Sequence, residues 1–446
     1  MKKIIVVIVI LAGAAAAGAA EKLTLEASKE LALKNNIEMR NGRLETDAAR
    51  QAKRAAFTKY FPSVSALGMD LRAHDPLASV TTQGGNLPVY DGNPINLAFP
   101  TQFAYFPSST MGFMKSMRFL AVTAIQPVFA GGRILNGNRL ASLGVEVSQD
   151  KERLARTEVL RSTEQQYWQI VSLAQKMKTI ESYEALLRRL LGQVEDAYNA
   201  GLVMKNDVLK VKLKLSEILL NKSKAENGKA LAIMAFCRTL GIPHDQGVEL
   251  ADDLAIERPP DALRVDHRAA LESRPERRML EASVRAETLK ARLVLGESLP
   301  QLGVGVAGMW MKLDEAKAGT NGMVFGTLSV PLSGWWEGSH ALGAQKAREE
   351  AARNTLRDGE ELLLLQMDKT WKDLTDAYGG LTLCRESEAQ ADENLKVSQD
   401  GYDNGLITLS DLLEAQALRQ QARDQLTDAM AAYRIAMVDY LQATGR

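Results

Sequence analysis

Residues 196–209 read DAYNAGLVMKNDVL, and residues 400–413 read DGYDNGLITLSDLL. The two stretches share Asp196/Asp400, Tyr198/Tyr402, Gly201/Gly405, Leu202/Leu406, Asp207/Asp411 and Leu209/Leu413 at one offset of 204 positions. The same offset carries Pro127 in QPVFAGG onto Pro331 in VPLSGWW, and Gly241 in MAFCRTLG onto Gly445 in VDYLQATG. Upstream the offset becomes 238: Ile37-Glu38 falls on Pro275-Glu276, and Phe61-Pro62 on Leu299-Pro300. The difference of 34 residues lies between Pro62 and Pro127, so the chain reads as two tandem copies with an enlarged loop in the first.

The copies, 21–255 and 256–446, run in the same order. A helical segment, Leu25–Tyr60 or Ala262–Ser298, is broken by proline. Alternating segments follow at 63–72 and 118–128, then at 301–312 and 322–332. An unbroken helical stretch, 130–197 or 334–401, leads into a hairpin at 198–206 or 402–410, and a last helix runs to 241 or 445. At ~1.5 Å per residue each long stretch would span on the order of 100 Å, a length that suits a coiled-coil rod rather than a globular core. In the first stretch Leu173, Met177, Ile180, Leu187, Leu191, Val194 and Tyr198 alternate by threes and fours around one break, Glu184. The second carries Trp371, Leu374, Tyr378 and Leu381, then turns polar at Arg385, Glu388 and Asp392, which predicts water on more than one side. Gly201 and Gly405 are expected to end the descending helices in the left-handed conformation. Asp207 and Asp411 are expected to open the ascending helices, where a carboxylate suits the dipole.

Lys+Arg and Asp+Glu balance at 55 each, so no basic footprint for nucleic acid exists. The opening MKKIIVVIVILAGAAAAGAA has the form of a secretory signal peptide, 1–20, with cleavage near Ala20. No later run of ~20 apolar residues follows, so the expected product is periplasmic, secreted or an outer-membrane barrel. Cys237 and Cys384 are not repeat equivalents and read as separate buried thiols.

The alternating segments have about ten residues, the length a tilted strand needs to cross a bilayer. Leu302, Val304, Val306 and Trp310 share one face of 301–312; Val324, Leu328, Val330 and Leu332 share one face of 322–332; Leu67, Met69 and Leu71 oppose Gly68, Asp70 and Arg72. Trp310 near one end, with Trp335 and Trp336 beyond the other, could form interfacial belts. Four strands cannot close a barrel and an open edge cannot sit in lipid, so a membrane location requires several chains in one barrel. The alternative is two soluble hairpins packed on helices. The insert 73–117, with Pro76, Pro88, Pro94, Pro100, Pro107 and Gly84-Gly85, reads as a long surface loop. The spacing of Met111, Met114 and Met117 favours chance over a soft-metal site.

The glycines at 303, 305 and 308 match GxGxxG, but no helix follows them, so they read as small residues in a strand. His74, His244, His267 and His340 have no ligand or catalytic spacing. No cofactor motif and no enzyme reading stand. Asp411 and Glu414 lie three apart on one helix face. Converging copies would make them a ring of acids that attracts cations; Thr408-x-x-Asp411 equally fits a capping box.

LTLEASKELALKNNIE at 23–38, KYFPSVSA at 59–66, QPVFAGGR at 126–133 and the two YxxGL…D hairpins together resemble the TolC-like outer-membrane efflux family over essentially the whole mature chain. The resemblance implies a mainly α fold with membrane β: a homotrimer whose four strands per protomer make a shared 12-stranded barrel in the outer membrane of a Gram-negative bacterium. Long helices would continue it as a periplasmic tunnel, with a mixed belt near 242–262. It implies a passive exit duct for efflux or type I secretion, fed by a periplasmic adaptor and an inner-membrane RND, ABC or MFS pump that chooses the cargo. The aperture acids would be Asp411 and Glu414, and closing contacts would involve Asp207 and Tyr402. The family pattern has an arginine where this chain has Ile407, so the latch would lack its cationic half. The insert could cap the extracellular mouth. The competing reading from another class is a soluble periplasmic coiled-coil scaffold or adaptor.

Overall fold

A computed structural model describes residues 22–244, 248–255, 258–332 and 334–446. The expected signal peptide at 1–20 lies outside the described residues. In the first repeat α1 (Leu25–Asn35) and α2 (Ile37–Phe57) precede β1 (Ser63–Arg72). The insert holds β2 (Ala78–Thr82), β3 (Gly85–Pro88), α3 (Ile95–Ala98), β4 (Phe103–Phe106) and β5 (Ser109–Phe113). Then come β6 (Ser116–Ala130), α4 (Arg133–Asn199) and α5 (Lys205–Leu240). The second repeat follows as α6 (His267–Glu272), α7 (Pro275–Glu297), β7 (Gln301–Leu313), β8 (Gly319–Ser329), α8 (Gly334–Asp403) and α9 (Leu409–Ala443). The two-repeat order thus matches the sequence reading. The elements differ from that reading in places. The first helical segment of each copy is broken, at Asn36 and at Ser273-Arg274. Val330 and Leu332 lie past the end of β8. The insert is not a plain loop, because β2 pairs with β5 and β3 with β4.

The chain forms two compact units. One consists of Arg50–Gly144 and Arg285–Glu350 and contains an antiparallel sheet in the order β1-β6-β7-β8. Its glycines allow close approach. A Cβ on Gly131, which has φ 61, would sit 2.2 Å from the Gly296 carbonyl oxygen, and one on Gly296 would sit 2.4 Å from that of Gly131. Gly305 lies under the Phe325 ring, where a Cβ would meet Cζ at 2.5 Å, and a Cβ on Gly303 would sit 2.8 Å from Thr327 Oγ1; close packing accounts for these two glycines of β7 without any nucleotide.

The other unit, the described part of Met1–Ala49 with Val145–Val284 and Ala351–Arg446, is helical. Its seams have coiled-coil spacing. Between Ile180 and Val194 of α4 the buried positions are Ile180, Tyr183, Leu187, Leu190 and Val194, packed with Val208, Val211 and Ile218 of α5 and Leu409, Leu412 and Leu413 of α9. The seam read from sequence therefore shifts: Tyr183 and Leu190 belong to it, while Tyr198 is exposed. Glu184 is no break, since it stands beside the seam and binds Lys222 at 2.9 Å and Arg188 at 2.8 Å. Along α8 and α9, Met367, Leu374 and Leu381, and Leu426, Tyr433 and Tyr440, recur every seven residues. The polar stretch of α8 is not simply wetted: Glu388 and Asp392 pair with Arg423 and Arg419 of α9.

Four helix ends close alike. After α4, Gly201 N–H donates to Tyr198 O and Leu202 N–H to Ala197 O; after α8, Gly405 donates to Tyr402 O and Leu406 to Gly401 O. Gly241 with Ile242, and Gly445 with Arg446, repeat the pattern after α5 and α9. All four glycines have φ between 67 and 76. This double bond pattern is the Schellman motif, which needs a left-handed residue at its corner.

The break residues also correspond. Asn36 Nδ2 donates to Thr239 O at 2.8 Å, at the end of α5. Arg274, its counterpart at the 238 offset, donates from Nη1 to Gln442 O at 2.5 Å and Ala443 O at 2.6 Å, at the end of α9. Each repeat thus fastens its first helical segment to the carbonyls that close its last helix.

The belt near 242–262 has described pieces. Leu23 and Leu250 form a parallel bridge, and Tyr167 Oη donates to Asp252 Oδ2 at 2.7 Å. Tyr433 Oη donates to Arg258 O at 2.7 Å. Cys237 is buried, Cys384 half-buried, and neither is bonded to the other.

Candidate membrane sheet and hairpin-tip sites

Register decides which side chains of the sheet share a face. Val64, Ala124, Val306 and Val324 stand in one row. Toward the insert, the next rows on that face are Ala66–Val122–Gly308–Gly322 and Gly68–Leu120–Trp310–Thr320. The next is charged: Asp70, Arg118 and Lys312 align, and Arg118 and Arg72 lie 3.5 and 3.6 Å from Asp70. The face is thus an exposed apolar band, with Val324 83% exposed, ending in a charged rim. The opposite face begins with Ser65–Thr123–Ala307–Met323 and becomes apolar toward the insert, through Met69–Phe119–Met311 and Leu71–Met117–Leu313. Leu67, Met69 and Leu71 do not share a face with Val304, Val306 and Trp310. Alternation groups residues within a strand, and only the pairing groups them between strands. β1 and β8 are the two edges of the sheet.

Trp310 lies one row from the charged rim. Nine residues back along β7, ~30 Å at strand rise, is Gln301. Trp335 and Trp336 follow in the first turn of α8, both exposed, and Trp335 Nε1 donates to Ser298 O at 2.8 Å. Among the described residues, no helix is long and apolar enough to cross a membrane.

At the hairpin tips the two repeats differ in chemistry. Thr408 caps α9 with a complete capping box: its side chain accepts from Asp411 N–H, and Asp411 Oδ2 accepts from Thr408 N–H at 2.9 Å and Oγ1 at 2.8 Å. These bonds hold the Asp411 carboxyl below the usual carboxylate range. Glu414, one turn on, is exposed. At the equivalent position of repeat one Met204 replaces the threonine, so α5 has no side-chain cap. Asp207 is left to bind Lys210 Nζ at 3.4 Å, and Lys210 reaches across to Ser410 Oγ at 2.9 Å. The charge of Asp207 also acts on Tyr402, whose hydroxyl is pushed up chiefly by burial and then by Asp207 and Asp403. The tips of one chain are therefore linked through Asp207, Lys210, Ser410 and Tyr402. Sequence reading missed Lys210, whose place in the second hairpin is taken by Glu414; the signal available was a lysine three residues after an uncapped helix-start aspartate. Ile407 folds back toward Gly401, whose Cβ position lies 3.4 Å from Ile407 Cγ2. Among the described residues, no group of acids, histidines and cysteines is placed to hold a metal ion.

A family model described as outer membrane efflux protein matches residues 29–241 and 267–446. No functionally curated relative matches. Among solved structures, the chain is similar to a membrane protein from Pseudomonas aeruginosa at 16% identity and TM-score 0.77, covering 94% of this chain and 93% of that one. It is similar to the Campylobacter jejuni CmeC outer membrane channel at 14% identity and TM-score 0.74, covering 94% and 85%. It is also similar to the Vibrio cholerae outer membrane protein VceC at 13% identity and TM-score 0.74, covering 94% and 96%. At these identities the structural likeness speaks to fold. The family match spans both repeats, and with it the chain is shown to belong to the outer membrane efflux protein family, as a non-enzymatic exit duct of the Gram-negative outer membrane with a periplasmic extension.

Proposed function

We propose that three copies assemble into one barrel and tunnel, which receives cargo from a periplasmic adaptor and an inner-membrane pump of the RND, ABC or MFS type. The observation that carries this reading is the sheet: a continuous exposed apolar band on one face, bounded by two open edges. A soluble scaffold has no use for such a face, and lipid tolerates a sheet only when its edges pair. Cargo selection belongs to the pump. The test is to isolate the protein from outer membranes. A heat-dissociable trimer that conducts ions in planar bilayers is expected; a soluble monomer without conductance would remove the reading.

At the periplasmic end we assign the cation-attracting aperture to Asp411 and Glu414, and the closed-state contacts to Asp207 and Tyr402. Helix-start chemistry and gating can be separated. Thr408→Ala removes the cap and should destabilise by about 1 kcal/mol while leaving cation selectivity intact. Asp411→Ala with Glu414→Ala should lose selectivity in planar-bilayer reversal potentials. Equal selectivity in all three proteins would leave Asp411 a capping residue only. The sign of the pH effect follows from the depressed Asp411 carboxyl. The capping contribution is fully present above the unfolded aspartate value of about 3.9, and fades only as pH falls through the lower folded value. Selectivity carried by Asp411 should therefore persist at pH 5. For the closing contacts, Asp207→Ala and Tyr402→Phe are each expected to raise basal conductance; unchanged conductance would discount them.

A further inference from the structure

The insert between β1 and β6 has a surface unlike that of a water-exposed loop. Phe99 is 78% exposed, Tyr105 72%, Met111 71% and Ile95 70%, with Tyr90 and Phe103 also more than half exposed. Between Ala73 and Met117 the charged side chains, apart from His74, are Asp75, Asp91 and Lys115. Exposed apolar surface on this scale marks a contact. The question is what covers it.

Two routes lead away from the end of the sheet. On the band face the row Asp70, Arg118, Lys312, with Arg72 beside it, stands between the insert and the apolar band. Reaching lipid that way would carry aromatic side chains past a charged rim. On the opposite face the last rows are Met69–Phe119–Met311 and Leu71–Met117–Leu313, so apolar surface continues without interruption to the foot of the insert. The foot is held in place: Asp314, in the β7–β8 turn, accepts from Met114 N–H at 2.8 Å and Ser116 N–H at 2.5 Å, and Met114 takes φ 67 there. The near absence of charge also gives lipid headgroups little to bind.

We propose that the inserts of the three copies turn inward over the extracellular mouth and pack on one another, and on the methionine- and phenylalanine-rich upper wall, as an apolar gate. The occupant of each insert's exposed face is thus a second copy of the same insert. Such a constriction closes a pore by excluding water rather than by charge. This inference rests on the trimeric-duct reading, and its test keeps the two apart by characterising the unaltered oligomer first.

With Cys237→Ala and Cys384→Ala as background, a spin label on Tyr105→Cys in the reconstituted oligomer should show copy-to-copy distances under about 20 Å, as packed layers ~10 Å apart would give. Separately, residues 74–114 can be replaced by Asn-Gly. Ala73 N–H already donates to Lys115 O at 2.8 Å, so these two can flank a two-residue turn. The shortened oligomer should conduct at least about twofold more than the unaltered one. Distances well beyond that range with lipid-like oxygen accessibility at residue 105 would overturn the gate, as would equal conductance of the two oligomers. If the unaltered chain forms no conducting oligomer, the duct reading fails and the gate falls with it.

Discussion

Arg274→Met should cost the protein about 3–5 kcal/mol, read as a shift in the denaturant midpoint of the helical circular dichroism signal. Arg274 is 2% exposed. Its Nη1 donates to the Gln442 and Ala443 carbonyls, while Nε and Nη2 bind Glu276, the former at 2.9 Å. Methionine fills much of the volume but leaves Ala443 O without its donor, Gln442 O with the Gly445 N–H but no side-chain donor, and the Glu276 carboxylate without its cation. A buried acceptor stripped of its partner loses its hydration without recompense, while the Glu276 carboxylate, 28% exposed, loses a cation but keeps part of its hydration. The repeat provides the control. Asn36 does the same task with one neutral bond to Thr239 O, so Asn36→Ala should cost about 1–2 kcal/mol. Arg274→Lys keeps the charge but not the fork and should fall between. If Arg274→Met and Asn36→Ala cost the same, the cationic clamp adds nothing beyond a neutral hydrogen bond.

That pair also shows which features of this chain can be read without coordinates. The 238 offset aligns Asn36 with Arg274, yet the residues share no chemistry, so nothing in the string marks them as one device. By contrast Gly201 and Gly405 were legible, because a left-handed corner after a helix is a local demand that few residues meet. The capping box of Thr408 and Asp411 was legible for the same reason. What could not be read was whatever depends on a partner strand or helix. In the α4 seam Ile180, Leu187 and Val194 were legible, and the alternate positions fall one residue away, at Tyr183 and Leu190, because the neighbours supplied by α5 and α9 decide which of two adjacent stripes is buried. The acids at 388 and 392 looked like a wet face until Arg419 and Arg423 were brought beside them. In the sheet, alternation within a strand was legible apart from Val330 and Leu332, which lie past the end of β8, and the pairing of each strand with the next was not available.

Register therefore gives the sharpest test of the membrane assignment. Val306 and Thr123 lie on adjacent central strands, in neighbouring rows, and point to opposite faces. Val306→Lys should cost about 2–4 kcal/mol if its face meets the bilayer midplane, where an ammonium loses its hydration and finds no counter-charge. Thr123→Lys, on a face that would line water, should be tolerated. The measurement is the yield of heat-dissociable trimer in the outer-membrane fraction, with unfolding in urea from detergent as the energetic check. Both variants carry the same added charge on the same secondary structure, so β propensity and net charge cancel in the comparison. Equal losses would mean that neither face sees hydrocarbon, and the duct would lose its barrel. The reverse order would turn the sheet inside out: the apolar band of Val64, Val306 and Val324 would line the watery lumen, and the face carrying Ser65 and Thr123 would meet hydrocarbon. That mismatch is why the lysine at 306 is expected to be the one that fails.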